Sequence, residues 1–249
     1  MAVDLPAALL TQTRALGEIV RGADPATAVP TCPGWTLREL TTHVGRGDRW
    51  AAAIVAQRAQ SFVDPRTVPD GSPPADPDAA AGWLEAGARL LLDVVAAATE
   101  AEVWTFIGPR PAGWWVRRRV HESVVHRADA ALATGAVFAP APEVAADAVS
   151  EWLSLVAGRP GGEPVLPAGA TIHLHATDDG LGDGGEWMIR AAESGITWEH
   201  GHAKGTVAVR GAAVDLLLVL LRRVLPDDAR VQVLGDASVL DTWLERTPF

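Results

Sequence analysis

The sequence predicts a helical bundle followed by a small α+β domain, and three observations carry that prediction. Four stretches with apolar residues at helical spacing, each roughly 18 to 25 residues long, fill most of the first half of the chain. A Gly- and Pro-rich segment, Gly158-Arg159-Pro160-Gly161-Gly162-Glu163-Pro164, then interrupts the pattern. Beyond it, short runs alternate apolar and polar residues with period two, as strands do. The expected organisation is a bundle over residues 1–160 and a second domain over 161–249, and 48% hydrophobic composition is enough for both cores.

The first helix runs from an Asp4 cap through Pro6 to about Val20, with Gly22 beyond its end. A turn-rich loop, Val29-Pro30-Thr31-Cys32-Pro33-Gly34-Trp35, leads to Thr36-Leu37-Arg38-Glu39, where Thr36 and Glu39 have the spacing of a capping box. The second helix therefore starts near Leu37. Its stripe of Leu40, His43, Val44, Gly47 and Trp50 places His43 on the buried face. Asp64 to Asp78 reads as an exposed loop, and Asp76-Pro77 restarts a helix that ends near Ala98. The fourth helix opens at Trp114-Trp115 and ends near Gly135, and a fifth follows from Pro142 to Gly158. Strands are expected at Thr171–Ala176, Glu186–Arg190, Thr206–Arg210 and Val231–Leu234, in a mainly antiparallel sheet with helices near 212–223 and 238–246.

Composition excludes several classes of function. A net charge of −10 argues against a nucleic-acid partner, because neutralising phosphates needs a basic surface. The Arg117-Arg118-Arg119 run does not reverse that and reads as a solvated helix face. One cysteine, Cys32, excludes an internal disulfide framework and fits a reducing cytosol. No leader and no apolar run of membrane-spanning length is visible, so a cytoplasmic protein is expected. Lys204 is the sole lysine, a skew typical of GC-rich genomes. The oligomeric state is not legible, although ten tryptophans leave room for an apolar interface.

On the fourth helix Glu122 and His126 stand one turn apart on one face, with Asp129 in line below them. His121 does not share that face, so the His-Glu-x-x-His pattern of zinc proteases is absent. Together with His43 the pair makes two imidazoles and a carboxylate, a set used by catalytic zinc and also by oxygen-activating iron(II). Asp129 is either the carboxylate that orients a ligand or an end-of-helix charge. Arg46 and Arg119 lie within a turn of a proposed ligand and are the first choices for binding an anionic substrate, while Arg49 on the second helix and Arg210 and Arg222 in the second domain are further candidates. Cys32 reads as a small packed filler rather than a nucleophile. His173-x-His175 and His200-x-His202 each put two imidazoles on one strand face, but no nearby acid or cysteine pattern supports a second metal.

Pro30-Thr31-Cys32-Pro33-Gly34-Trp35-Thr36 with Leu40 and His43, then Trp115, Arg119, His121-Glu122, His126-Arg127 and Asp129, resembles the signatures of the mycothiol-dependent maleylpyruvate isomerase family. The resemblance implies a DinB/YfiT-like metal-binding bundle and a smaller, sterol-carrier-like C-terminal domain. It further implies zinc, or another divalent metal, held by His43, Glu122 and His126, with catalysis through that metal. Mycothiol would be the thiol cosubstrate, and a small electrophile, of the maleylpyruvate kind, the other partner. Isomerisation and S-transfer are both open. Two other readings remain: a non-catalytic module binding a metal or an apolar ligand, and an iron(II)-dependent oxygenase.

Overall fold

The computed structural model describes residues 3–98, 100–159, 164–193 and 195–248. Its backbone contacts divide the chain into two compact units, Asp4–Phe138 and a second that runs from Ala139 onward. The division falls at Phe138 rather than near residue 160. Its physical reason is the helix Pro142–Ala157, which packs on a helix and a strand of the second unit. Its own apolar pattern could not say which neighbour it would cover.

The first unit is built from α1 (Leu5–Gly22), α2 (Leu37–Ala56), α3 (Pro77–Ala98) and α4 (Gly113–Thr134). Local chemistry sets the ends. The Asp4 carboxylate accepts from the Ala7 amide at 3.1 Å, and Glu39 reaches back to the Thr36 amide at 2.8 Å, satisfying donors that the first turn leaves open. Gly135 closes α4 with a φ of 75°, a left-handed conformation that glycine adopts without a Cβ clash. Leu16, Leu37, Leu40, Val44, Trp83 and Leu84 form the core between the helices. Between α3 and α4 two very short strands, β1 (Glu102–Val103) and β2 (Arg110–Pro111), pair antiparallel; the sequence reading has only a connector there.

The second unit joins α5 (Pro142–Ala157) to a five-stranded sheet. Its strands are β3 (Thr171–Ala176), β4 (Glu186–Ala192), β5 (Gly195–His200), β6 (Val207–Gly211) and β7 (Val231–Gly235), with α6 (Ala213–Leu220) and α7 (Ala237–Arg246) between and after the last two. The order is β5-β4-β3-β6-β7, and only β3 with β6 is parallel. The sequence reading misses β5 but has the other four strands. Ile172, Leu174, Trp187, Ile189, Val207 and Val209 are buried at alternate positions, as one covered sheet face requires. The opposite face carries His173, His175 and Glu186.

Close packing of α2 on α3 depends on Gly45. A Cβ there would lie 2.1 Å from the Trp83 ring. That ring cannot give way cheaply, because its Nε1 donates to the Asp70 carbonyl at 2.9 Å and the Arg49 guanidinium stacks on it at 4.2 Å. Alanine ordinarily favours a helix over glycine by about 1 kcal/mol, but overpacking typically costs about 1–3 kcal/mol. An approach of 2.1 Å calls for the upper end of that cost, so Gly45→Ala should destabilise the protein by about 2 kcal/mol in urea unfolding; an unchanged or raised midpoint would refute the packing argument.

Candidate metal centre and cavity

The arrangement of α2 against α4 brings His43, Glu122 and His126 together. His43 Nε2 lies 3.3 Å from Glu122 Oε2, and His126 Nε2 lies 3.4 Å from the same oxygen. One ligand atom from each of the three falls within 4.8 Å of the others. Zinc bonds of about 2.0–2.1 Å in a tetrahedron place ligand atoms about 3.3 Å apart, so the two observed spacings fit such an ion. The other oxygen, Oε1, is taken by Arg118, one turn earlier on α4. Glu122 thus presents a single oxygen to the imidazoles.

His126 is oriented from behind. Its Nδ1 lies 2.9 Å from Asp129 Oδ2, which leaves Nε2 to face His43 and Glu122. Asp129 is fully buried and also accepts from the Cys32 thiol at 3.4 Å. Cys32 is half-buried, so the filler reading misses its hydrogen bond. Trp35 covers both rings, its centroid 5.0 Å from that of His43 and 6.1 Å from that of His126.

His43 is not on the buried face, as its place in the helical stripe suggests; 42% of its side chain is exposed. Its open side looks into a cavity of about 630 Å³, so the ring is enclosed by protein without being packed in the core. This enclosure, with repulsion from His126 and from the guanidinium groups of Arg119, Arg118 and Arg46, lowers its pKa from 6.5 to about 3. The imidazole is neutral at pH 7, the state a metal requires.

Two of the three arginines expected on a solvated face are buried. Arg118 and Arg119 are 7% and 4% exposed. Arg119 donates through Nε to Asp48 Oδ1 at 2.7 Å and through a terminal nitrogen to the Val44 carbonyl at 2.9 Å. Gly47 makes room for it, since a Cβ there would meet the guanidinium at 2.6 Å. Burial raises the pKa of Asp48 while Arg119 opposes that shift. Arg46 lines the cavity with Nε anchored on the Gly71 carbonyl at 2.8 Å. Arg38 lines it too and was not singled out from the sequence, nor was Arg118. Trp50, Phe106 and Trp115 supply apolar wall. Arg210 and Arg222 belong to the second unit.

Residues 7–131 match the family model described as the mycothiol maleylpyruvate isomerase N-terminal domain, and residues 143–242 match the C-terminal domain of the same enzyme. The chain belongs to the mycothiol maleylpyruvate isomerase family. Two crystal structures share the fold of this family member. One is of a mycothiol-dependent maleylpyruvate isomerase, with 18% identity, 92% of this chain and 91% of that chain covered, and a TM-score of 0.58. The other is of a histidine-to-alanine mutant of the enzyme so named, with 16% identity, the same 92% and 91% coverage, and a TM-score of 0.56. No curated protein matches the chain. Among the described residues, no helix is long and apolar enough to cross a membrane.

Two outcomes follow from this geometry. Between pH 6.5 and about 3 the unfolded chain binds a proton at position 43 that the folded chain resists, so stability falls as pH is lowered through that window. For metal-free protein, His43→Gln should flatten this acid limb in urea unfolding followed at several pH values; equal slopes would contradict it. Asp48→Ala leaves Arg119 buried without its carboxylate and should cost about 3–5 kcal/mol, read from the same unfolding curves at pH 7.

Proposed function

We propose that this chain is a cytoplasmic, zinc-dependent enzyme that uses mycothiol to isomerise, or to transfer sulfur to, a small anionic electrophile of the maleylpyruvate kind. One observation carries the reading: two imidazole nitrogens and one carboxylate oxygen converge at the wall of a cavity lined by four arginines. His43, Glu122 and His126 would hold the ion, and family membership makes mycothiol the natural thiol. A bound zinc would favour the thiolate over the thiol at neutral pH, where a free thiol of pKa ~8.5 is mostly protonated.

The chain's own residues then divide the remaining work. Asp129 holds the His126 ring in one orientation, and Arg118 keeps Glu122 presenting one oxygen. Arg46 and Arg38 offer positive charge to a substrate carboxylate, while Arg119, held by Asp48, adds to the field more than to direct contact. Trp50, Phe106 and Trp115 limit water around the substrate. In the isomerase form, sulfur adds to one carbon of a cis double bond conjugated to a carbonyl. The bond becomes single, rotates, and loses the thiolate to give the trans alkene, with no net consumption of thiol. In the transferase form the adduct is released and one thiol is consumed per turnover.

His43→Ala and His126→Ala should each lose one equivalent of zinc per chain by elemental analysis, together with mycothiol-dependent turnover of maleylpyruvate. Unchanged zinc in both would remove the reading's centre, and iron in place of zinc would favour oxygen chemistry. Arg46→Ala should keep its zinc and lower kcat/KM by roughly 10- to 100-fold, mainly through KM, the equivalent of one charged hydrogen bond of about 1.5–3 kcal/mol. A loss confined to kcat would place Arg46 elsewhere in the mechanism.

A further inference from the structure

The second unit carries a cluster that the bundle's chemistry does not use. His173, His175, Glu186 and His202 bring one ligand atom each to within 4.8 Å of one another. His173 Nε2 is 2.6 Å from Glu186 Oε2, and His175 Nδ1 is 2.6 Å from Oε1. His202 Nδ1 is 3.2 Å from that same Oε1. The ring centroids of His173 and His202 are 4.8 Å apart.

The backbone builds this convergence. His173 and His175 alternate onto one face of β3, and Glu186, the first residue of β4, stands directly opposite His175 in the antiparallel register. His200, expected to pair with His202, turns elsewhere: its Nδ1 lies 3.0 Å from the Glu186 carbonyl oxygen, and its ring packs on Trp198. The segment after β5 then folds back over β3. Gly201, with a φ of 152°, makes the bend, and its amide donates to the Glu186 carbonyl at 3.2 Å. Gly205 permits the close return, because a Cβ there would lie 2.9 Å from the His173 nitrogen. Reciprocal bonds from the amides of Thr171 and Thr206 to each other's hydroxyls, at 3.1 and 2.9 Å, tie the segment down.

We propose that these four side chains form a second metal site, for a divalent first-row transition ion with zinc as the best match. Three imidazoles and one carboxylate are nitrogen and oxygen donors of the type zinc accepts, and four protein ligands would close a tetrahedron once the 2.6 Å contacts to Glu186 widen to about 3.3 Å around the ion. The site is therefore a staple rather than a second catalytic centre. It fastens the segment 201–206 to β3 and β4, with the ion reached from the side of His202, whose side chain is 72% exposed.

The test uses the full chain carrying His43→Ala and His126→Ala, stripped of metal by chelator dialysis and titrated with zinc against a chromogenic chelator. One zinc per chain should still bind, and the cobalt-loaded protein should show the intense visible bands of a four-coordinate ion. Adding His202→Ala, at an exposed position that the fold tolerates, should weaken zinc by more than roughly tenfold, since even an outer partner of a ligand is worth that much. His175→Ala should do the same. Zinc should raise the melting temperature of the double variant and leave that of the triple variants nearly unmoved. No zinc bound by the double variant, or equal affinity after loss of His202 and of His175, would mean that the histidines merely share hydrogen bonds with Glu186. Because both histidine ligands of the bundle are absent throughout, this result is independent of whether the first site holds zinc.

Discussion

The ion pair between Asp48 and Arg119 sets how α2 and α4 lie against each other, and the candidate centre depends on that setting. Asp48 is fully buried and Arg119 nearly so, and the pair adds a bond from Arg119 to the Val44 carbonyl. Removing two charges from water is expensive, so such a pair contributes little net stability compared with apolar residues of the same volume. Its consequence is geometric. His43 precedes Asp48 by five residues on α2 and Glu122 follows Arg119 by three on α4, so a slip of one turn, about 5.4 Å, would separate the ligand atoms entirely. Gly47 is part of the same device, since only a residue without a side chain lets the guanidinium cross α2.

The arginines gathered around Glu122 have two effects with one origin. Burial of the ring is the larger cause that keeps His43 unprotonated far below its ordinary range, and their field adds to it, which leaves the nitrogen lone pair available. The same field attracts anions into the cavity. A net acidic chain can therefore hold a locally cationic pocket, because Arg38, Arg46, Arg118 and Arg119 all line one side of the bundle. Apolar tryptophan and phenylalanine walls strengthen that field by lowering the local dielectric.

Much of the fold was legible because its signals are local. The Asp4 cap, the Thr36–Glu39 box, Pro77 and Gly135 mark helix ends that the structure reproduces within a residue or two. The grouping of His43 with Glu122 and His126 followed from the family resemblance together with helical spacing. Long-range properties were not legible. Periodicity counts arginine as polar and so places Arg118 and Arg119 outside, whereas Arg119 is paired by Asp48 across on α2 and Arg118 by Glu122 one turn along α4. The exposure of His43 depends on a cavity formed by segments far apart in sequence. β5 was missed, although Ile196 is its one buried apolar position and its polar neighbours hide the alternation.

The histidine cluster of the sheet shows the same limit most sharply. His173 and His175 declare a shared face through their spacing, but the carboxylate that completes the set is brought by strand register, and His202 by a glycine-dependent return of the chain. Both clusters place one carboxylate among imidazoles, yet their surroundings differ in the feature that decides chemistry. In the bundle, Arg118 occupies one oxygen of Glu122, and His43 and Glu122 line a cavity large enough for a substrate. In the sheet, every side-chain hydrogen bond described for Glu186 comes from a histidine, and the fourth donor fills the position where a substrate would have to bind. An ion with three protein ligands and a cavity can exchange its remaining ligand, and one with four cannot without breaking the fold around it. On the two readings proposed above, the same residue types would serve chemistry in one unit and architecture in the other, and the difference would be the number of donors that the backbone delivers.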